Sequence, residues 1–225
     1  MKTDKNYPNS SRRRFLATAG LAGTAMLGSP LYSAFSIPPR PKKDKLGIAL
    51  IGLGYYSTDV LAPALQACKH CYLAGIVTGT PAKEKVWMEK YNIPKKNVYN
   101  YNNFDKIADN TDIDIVYVVL PNSMHREFTI RGAKAGKHVI CEKPMAMNAA
   151  ECRDMIAACK DAGVSLSVGY RLHYEPYTQE VMRLGQQQVY GPVKLVTAAA
   201  GYRESRKGHW KLSKKMGGGA MYDMG

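Results

Sequence analysis

The chain reads as an α/β protein built on a doubly wound parallel sheet, followed by the start of a second, α+β domain, and three observations predict this. Short, uncharged apolar runs alternate with segments of helical periodicity between Leu46 and Val168. The first of those runs, Leu46 to Ile51, stops abruptly at a glycine turn, Gly52-Leu53-Gly54. Later runs end in polar or glycine-bearing turns, which is where an open parallel sheet places its ligands.

Taken in order, residues 1–36 read as an export leader. Arg12-Arg13 with Phe15 and Leu16 fits the twin-arginine pattern S-R-R-x-F-L, and the apolar stretch behind it is broken by Gly20, Gly23, Gly28 and Pro30, too weak for a membrane span. The expectation is export to the periplasm, already folded, through the twin-arginine export machinery, with any nucleotide loaded beforehand and held tightly. Residues 37–45, IPPRPKKDK, are proline-rich and basic, hence an extended arm.

The fold is expected to begin at Leu46, with Leu46 to Ile51 as an interior strand. Gly52 and Gly54 match the first two positions of G-x-G-x-x-G: the first permits the tight turn, the second lets the backbone approach a pyrophosphate. Tyr55 and Tyr56 fill the turn, and Ser57 stands where the third glycine would, small enough for helix to pack on strand. Helical spacing of Val60, Leu61, Ala64 and Leu65 predicts a helix over Thr58 to Ala67, and Tyr72 to Val77 is the second strand. Pro81 to Tyr91 is a helix whose proline sits where a missing N–H costs little. Then follow a strand over Asp114 to Leu120, a helix over Ser123 to Ala135, a strand over His138 to Cys141, a helix over Asn148 to Ala162 and a strand over Val164 to Val168.

The end of the second strand bears on the choice of nucleotide. An NAD site usually places a carboxylate about 20 residues beyond the glycines to hold the ribose hydroxyls. Here stand Thr78 and Gly79 with no carboxylate, and Lys83 and Lys85 lie on the first turns of the next helix, which favours NADP over NAD, with Thr78, Gly79 and Lys83 expected to receive the phosphate. The formal charge of +14 is uneven: five of the 32 basic residues lie in the first 36 positions beside only Asp4, and much of the remainder sits in Arg40 to Lys45 and Arg203 to Lys215. A solvated basic face and attraction of an anionic ligand both fit. The aromatics do not interleave with the basic residues as a stacking platform would, so no nucleic-acid partner is expected. Of five cysteines, Cys68 and Cys71 have C-x-x-C spacing; no second pair accompanies them, so no metal is expected, and a redox pair or simple packing stays open. Cys141, Cys152 and Cys159 read as packing.

Lys143, between Glu142 and Pro144 at a strand end, is placed to point into the crevice, where partial desolvation suits it to taking or giving a proton. The set GLG, LPNSMH, CEKPM, GYRLHYEP and GGGAMYDMG, in this order from Leu46 to Gly225, resembles the glucose-fructose oxidoreductase, inositol dehydrogenase and rhizopine-catabolism family, Gfo/Idh/MocA. With the leader and the arm, it resembles most the exported glucose-fructose oxidoreductase branch. The resemblance implies an NAD(P)-binding Rossmann domain over 46–170 and the start of an open-sheet substrate domain over 171–225, with residues 191–201 as its opening strand. It implies hydride transfer between a tightly bound nicotinamide cofactor and a sugar or polyol. Lys143 and Asp223 would form the catalytic group. Gly52, Gly54, Tyr55, Tyr56, Thr78, Gly79, Lys83, Pro121, Asn122, His125, Glu142, Lys143 and Arg171 would hold the cofactor, and Tyr170, His173 and Lys211 would face the sugar. Full-length relatives form homo-oligomers. The family carries a tyrosine or histidine four residues beyond the aspartate, two positions past Gly225, so the sequence is expected to be a partial record of a longer enzyme, inactive by itself. An NAD-dependent glycosidase on the same scaffold, or a catalytically incomplete nucleotide-binding module, are the alternatives.

Overall fold

A computed structural model describes residues 43–223; the expected leader and residues 37–42 of the expected arm lie outside the described residues. Six strands, β1 (Leu46–Ile51), β2 (Cys71–Val77), β3 (Val98–Tyr99), β4 (Ile115–Val118), β5 (His138–Glu142) and β6 (Leu166–Gly169), form one sheet in the order β3-β2-β1-β4-β5-β6. Every neighbouring pair is parallel. The chain therefore starts at the centre, winds to one edge, returns past β1 and winds to the other, leaving a switch point between β1 and β4.

Alternation along β1 divides the core. Ile48 and Leu50 pack on one face with Ala62 and Trp87, from the helices α1 (Ala62–Ala67) and α2 (Pro81–Tyr91). Ala49 and Ile51 pack on the other with Phe128 and Met155, from α3 (His125–Lys134) and α4 (Ala149–Asp161). Burial on both faces is why the central strands read as continuous apolar runs rather than alternating ones. Asn148 caps α4, its side chain accepting the Glu151 N–H at 3.0 Å.

The structure departs from the sequence reading in three places. Tyr56 to Leu61 is a π-helical turn that leads into α1: Pro63 has no N–H for the Asp59 carbonyl, and the turn before it widens. β3 is only two residues long, below what periodicity detects. The strand expected over 191–201 is not formed; residues 193–206 have neither helix nor strand, and Leu195 and Val196 are about four-fifths exposed, at 81% and 78%. Among the described residues no strand lies alongside to supply the ladder that would hold one there. Beyond β6 come a 3-10 turn over Arg171–Tyr174, an exposed helix α5 (Pro176–Gln186), two further 3-10 turns and a short helix α6 (Ala220–Asp223). No helix of the described residues is long and apolar enough to cross a membrane, and no group of three or more metal-ligating side chains occurs among them.

Candidate dinucleotide and substrate site

The glycine turn is pinned between β2 and β4. Gly52 donates its N–H to the Val77 carbonyl at 2.9 Å, and Val119 donates to Ile51 at 2.8 Å. Gly52 has φ +92°, and a Cβ there would stand 2.3 Å from the Val119 carbonyl oxygen, so only glycine fits. At Gly54 a Cβ would meet nothing within 4 Å: the backbone faces open space where a diphosphate would have to approach. Ser57 is fully buried and donates its hydroxyl to the Gly52 carbonyl at 2.6 Å. The serine in the third position thus fastens the turn it follows.

At the end of β2 the hydroxyl of buried Thr78 accepts the Thr80 N–H at 3.1 Å, and Gly79 lies against the Tyr101 ring. Lys83 reaches back from α2 to the glycine turn, its Nζ donating to the Leu53 carbonyl at 2.6 Å. The Lys83 ammonium thus borders the turn on the side of β2, with the Thr78 hydroxyl at that strand's end. Lys85, its neighbour on α2, instead pairs loosely with Glu89 on the exposed surface at 3.8 Å.

Beyond β4 the expected cofactor contacts have partners within the protein. Asn122 and His125 were expected against the cofactor, with Pro121. Pro121 does open the turn, but His125 is fully buried: Nδ1 lies 2.8 Å from the Pro144 carbonyl and Nε2 2.8 Å from the Leu120 carbonyl. Burial pushes its pKa down against the pull of those carbonyls. Asn122, also buried, donates its amide to the Gly217 carbonyl at 2.7 Å. Each thereby braces a loop, His125 through both ring nitrogens and Asn122 through its amide nitrogen.

After β5 the backbone turns through a cis Lys143–Pro144 bond. The Lys143 Nζ donates to the Asp223 carbonyl oxygen and lies 3.8 Å from its carboxylate. Lys211 donates to the same carboxylate at 2.9 Å, and so does the Tyr202 hydroxyl. Burial opposes ionisation of Asp223, yet Tyr202, Lys211 and Lys143 outweigh it and hold its pKa below the usual range. Burial likewise opposes the charge on Lys211, but Tyr202 and Asp223 prevail and raise its pKa. Two residues 80 apart in sequence, both expected to be catalytic, are brought together, with Lys211 from the expected substrate side. Tyr202 was missed: its segment carries no periodicity to place it.

A second polar cluster joins β4, β5 and the turn after β6. The Tyr117 hydroxyl donates to Glu142 Oε1 at 2.6 Å, under Gly169, where a Cβ would lie 2.7 Å from that oxygen. Burial raises the pKa of Glu142, against Tyr117 and Lys143; burial and Glu142 together push the Tyr117 phenol far up. Burial and Glu142 also raise Tyr56, while Arg171 pulls it down, so Tyr56 and Arg171 belong to the same neighbourhood. Tyr117 was readable in retrospect as the one polar-tipped side chain in an otherwise aliphatic strand. Tyr170 is half exposed, in edge contact with His173 at 6.3 Å between ring centres, and Arg171 and His173 lie on the exposed 3-10 turn. Tyr55 is largely exposed beside Gly54. These residues fit a dinucleotide lying across the switch point: open backbone at Gly54, a cation by the β2 end, and charged side chains at the ends of β5 and β6.

A family model described as an oxidoreductase family with an NAD-binding Rossmann fold, Gfo/Idh/MocA, matches residues 46–170. Among solved structures, the aldose-aldose oxidoreductase of Caulobacter crescentus, complexed with glycerol, is 47% identical with a TM-score of 0.78, covering 80% of this chain and 54% of that one. A 3-ketoreductase from Actinomadura kijaniata shares the fold, with a TM-score of 0.71 at 23% identity, over 80% of this chain and 54% of its own. A trans-1,2-dihydrobenzene-1,2-diol dehydrogenase of Xenopus tropicalis is 32% identical over 181 residues, 80% of this chain and 53% of that protein. A D-xylose 1-dehydrogenase (NADP(+)) of Haloferax volcanii is 27% identical over 177 residues, 78% and 53%. The chain spans about half the length of the curated relatives it matches.

Proposed function

Because the chain belongs to the Gfo/Idh/MocA oxidoreductase family, we propose that the whole protein transfers a hydride between a tightly bound NADP and a hydroxyl-bearing carbon of a sugar or polyol. The observation that carries the reading is the convergence of Lys143, Lys211 and Asp223 at the end of β5, across the switch point from the glycine turn. In this reading Lys143 holds the substrate hydroxyl, whose proton must leave as the carbon gives up hydride, and Asp223 keeps Lys143 and Lys211 aligned. When bound, the nicotinamide supplies the hydride acceptor or donor. Gly52 and Gly54 would admit its diphosphate, Thr78, Gly79 and Lys83 the 2′-phosphate, and Glu142 and Arg171 the nicotinamide end. The aldose-aldose oxidoreductase supports a sugar at both ends of the cycle, as in glucose-fructose oxidoreductase; the xylose dehydrogenase supports NADP.

Export by the twin-arginine route belongs to the same proposal, since a sugar-to-sugar cycle regenerates its own cofactor where none is supplied. So does assembly of the full-length protein into a homo-oligomer. Incubation of the full-length product with glucose and fructose tests the reaction: gluconolactone and sorbitol are expected, and nucleotide binding without either product overturns it. For the cofactor, Lys83→Glu is expected to lower the preference for NADP over NAD by about tenfold, equivalent to roughly 1.4 kcal/mol. An unchanged preference in paired titrations would remove Lys83 from the 2′-phosphate site.

A further inference from the structure

Three separate parts of the chain converge on buried Asp223, the last residue of α6. Lys143 comes from the turn after β5, Lys211 from the 3-10 turn Trp210–Leu212, and Tyr202 from the segment 193–206, which has neither helix nor strand. The parts bearing Asp223 and Lys211 are locked together through the backbone. Gly219 donates its N–H to the Lys211 carbonyl at 2.9 Å, Asp223 donates to Gly219 at 3.0 Å, and a Cβ on Gly218 would stand 2.3 Å from that same Lys211 oxygen.

The two carboxylate oxygens are used unequally. Oδ2 accepts from the Tyr202 hydroxyl and from the Lys211 ammonium, the latter at 2.9 Å, and the Lys211 Nζ also lies 5.0 Å from the centre of the Tyr202 ring. Oδ1 lies 3.8 Å from the Lys143 Nζ. Two donors gripping one oxygen restrain the carboxylate from rotating, so its other oxygen stays on the lysine's side.

We propose that Tyr202 is a positioning residue for hydride transfer: with Lys211 it fixes the Asp223 carboxylate by Oδ2, leaving Oδ1 to face Lys143. The inference rests on the function proposed above, in which Lys143 holds the substrate hydroxyl. As that hydroxyl's proton passes to the Lys143 amine, the nitrogen gains a positive charge, which the Asp223 carboxylate stabilises. Tyr202 acts through Asp223 rather than on the substrate. The titratable groups facing the carboxylate are Tyr202, Lys211 and Lys143. Burial opposes its ionisation; among the groups that favour it, Tyr202 comes first, then Lys211, then Lys143. Tyr202 is about half exposed, so Tyr202→Phe removes the donor without opening a cavity and keeps an aromatic ring beside Lys211.

The test uses the full-length protein with isotope-labelled aspartate carboxyl groups followed by NMR, the Asp223 resonance being the one absent in Asp223→Asn. In the unmodified protein it should titrate below the ordinary aspartate value of about 3.9, and in Tyr202→Phe its midpoint should move up. Turnover on glucose and fructose should change to match: the acid limb of the kcat profile moves to higher pH, and kcat falls about tenfold while KM stays within about twofold. A side chain that only docks its segment would lower the melting temperature or raise KM and leave the limb in place; that outcome overturns the proposal, as does an unmoved Asp223 midpoint. If neither sugar turns over but the midpoint moves, the sugar reading fails and the hold of Tyr202 on Asp223 stands. A midpoint at or above the ordinary value in the unmodified protein overturns the inference whether or not the variant folds.

Discussion

At the level of single residues, position 52 has the least freedom. A Cβ there meets a backbone carbonyl rather than a movable side chain, and the φ of +92° adds strain of its own. Gly52→Ala is expected to cost about 3 kcal/mol, read as a lower denaturant midpoint at unchanged slope. Glu142 gives a signed pH effect. Its folded pKa is raised above the ordinary glutamate value of about 4.3, so wild-type stability falls as pH rises through that range and levels off above the raised pKa. Glu142→Gln, whose carbonyl still accepts the Tyr117 hydroxyl, should melt higher than wild type at neutral pH, with the gap closing below about pH 4. A constant gap across pH would contradict burial as the dominant cause.

At the level of elements, Asn148→Ala should remove the cap of α4 and cost about 1 kcal/mol by thermal melting, while the variant keeps its helical signal. Asn148-Ala-Ala-Glu151 was legible as a helix start, and the main strands and helices were legible for the same kind of reason: their pattern is local. What escaped was non-local or too short. β3 has two residues, the π turn depends on how Pro63 meets a carbonyl one turn back, and a strand over 191–201 needs a neighbour that no local pattern can supply. The site divides in the same way. Gly52, Gly54 and Lys143 announce themselves by motif, whereas the burial of His125 and Asn122 depends on where Pro144 and Gly217 fall in space.

Across the described molecule, order is graded. The strands at the switch point are held on both sides and buried on both faces, while residues 193–206 carry no ladder or helix. Hydrogen exchange should show this directly: amides of β1 and β4 are expected to persist for hours and those of 193–206 to exchange within seconds to minutes. Equal protection in the two regions would mean that the later segment is paired in solution. His125, seated between the Leu120 and Pro144 carbonyls, has a mechanical consequence. It rivets the loop after β4 to the loop after β5, so this flank of the crevice moves as a single plate, and any opening for a ligand has to come from the glycine side or from the layer that bears Asp223.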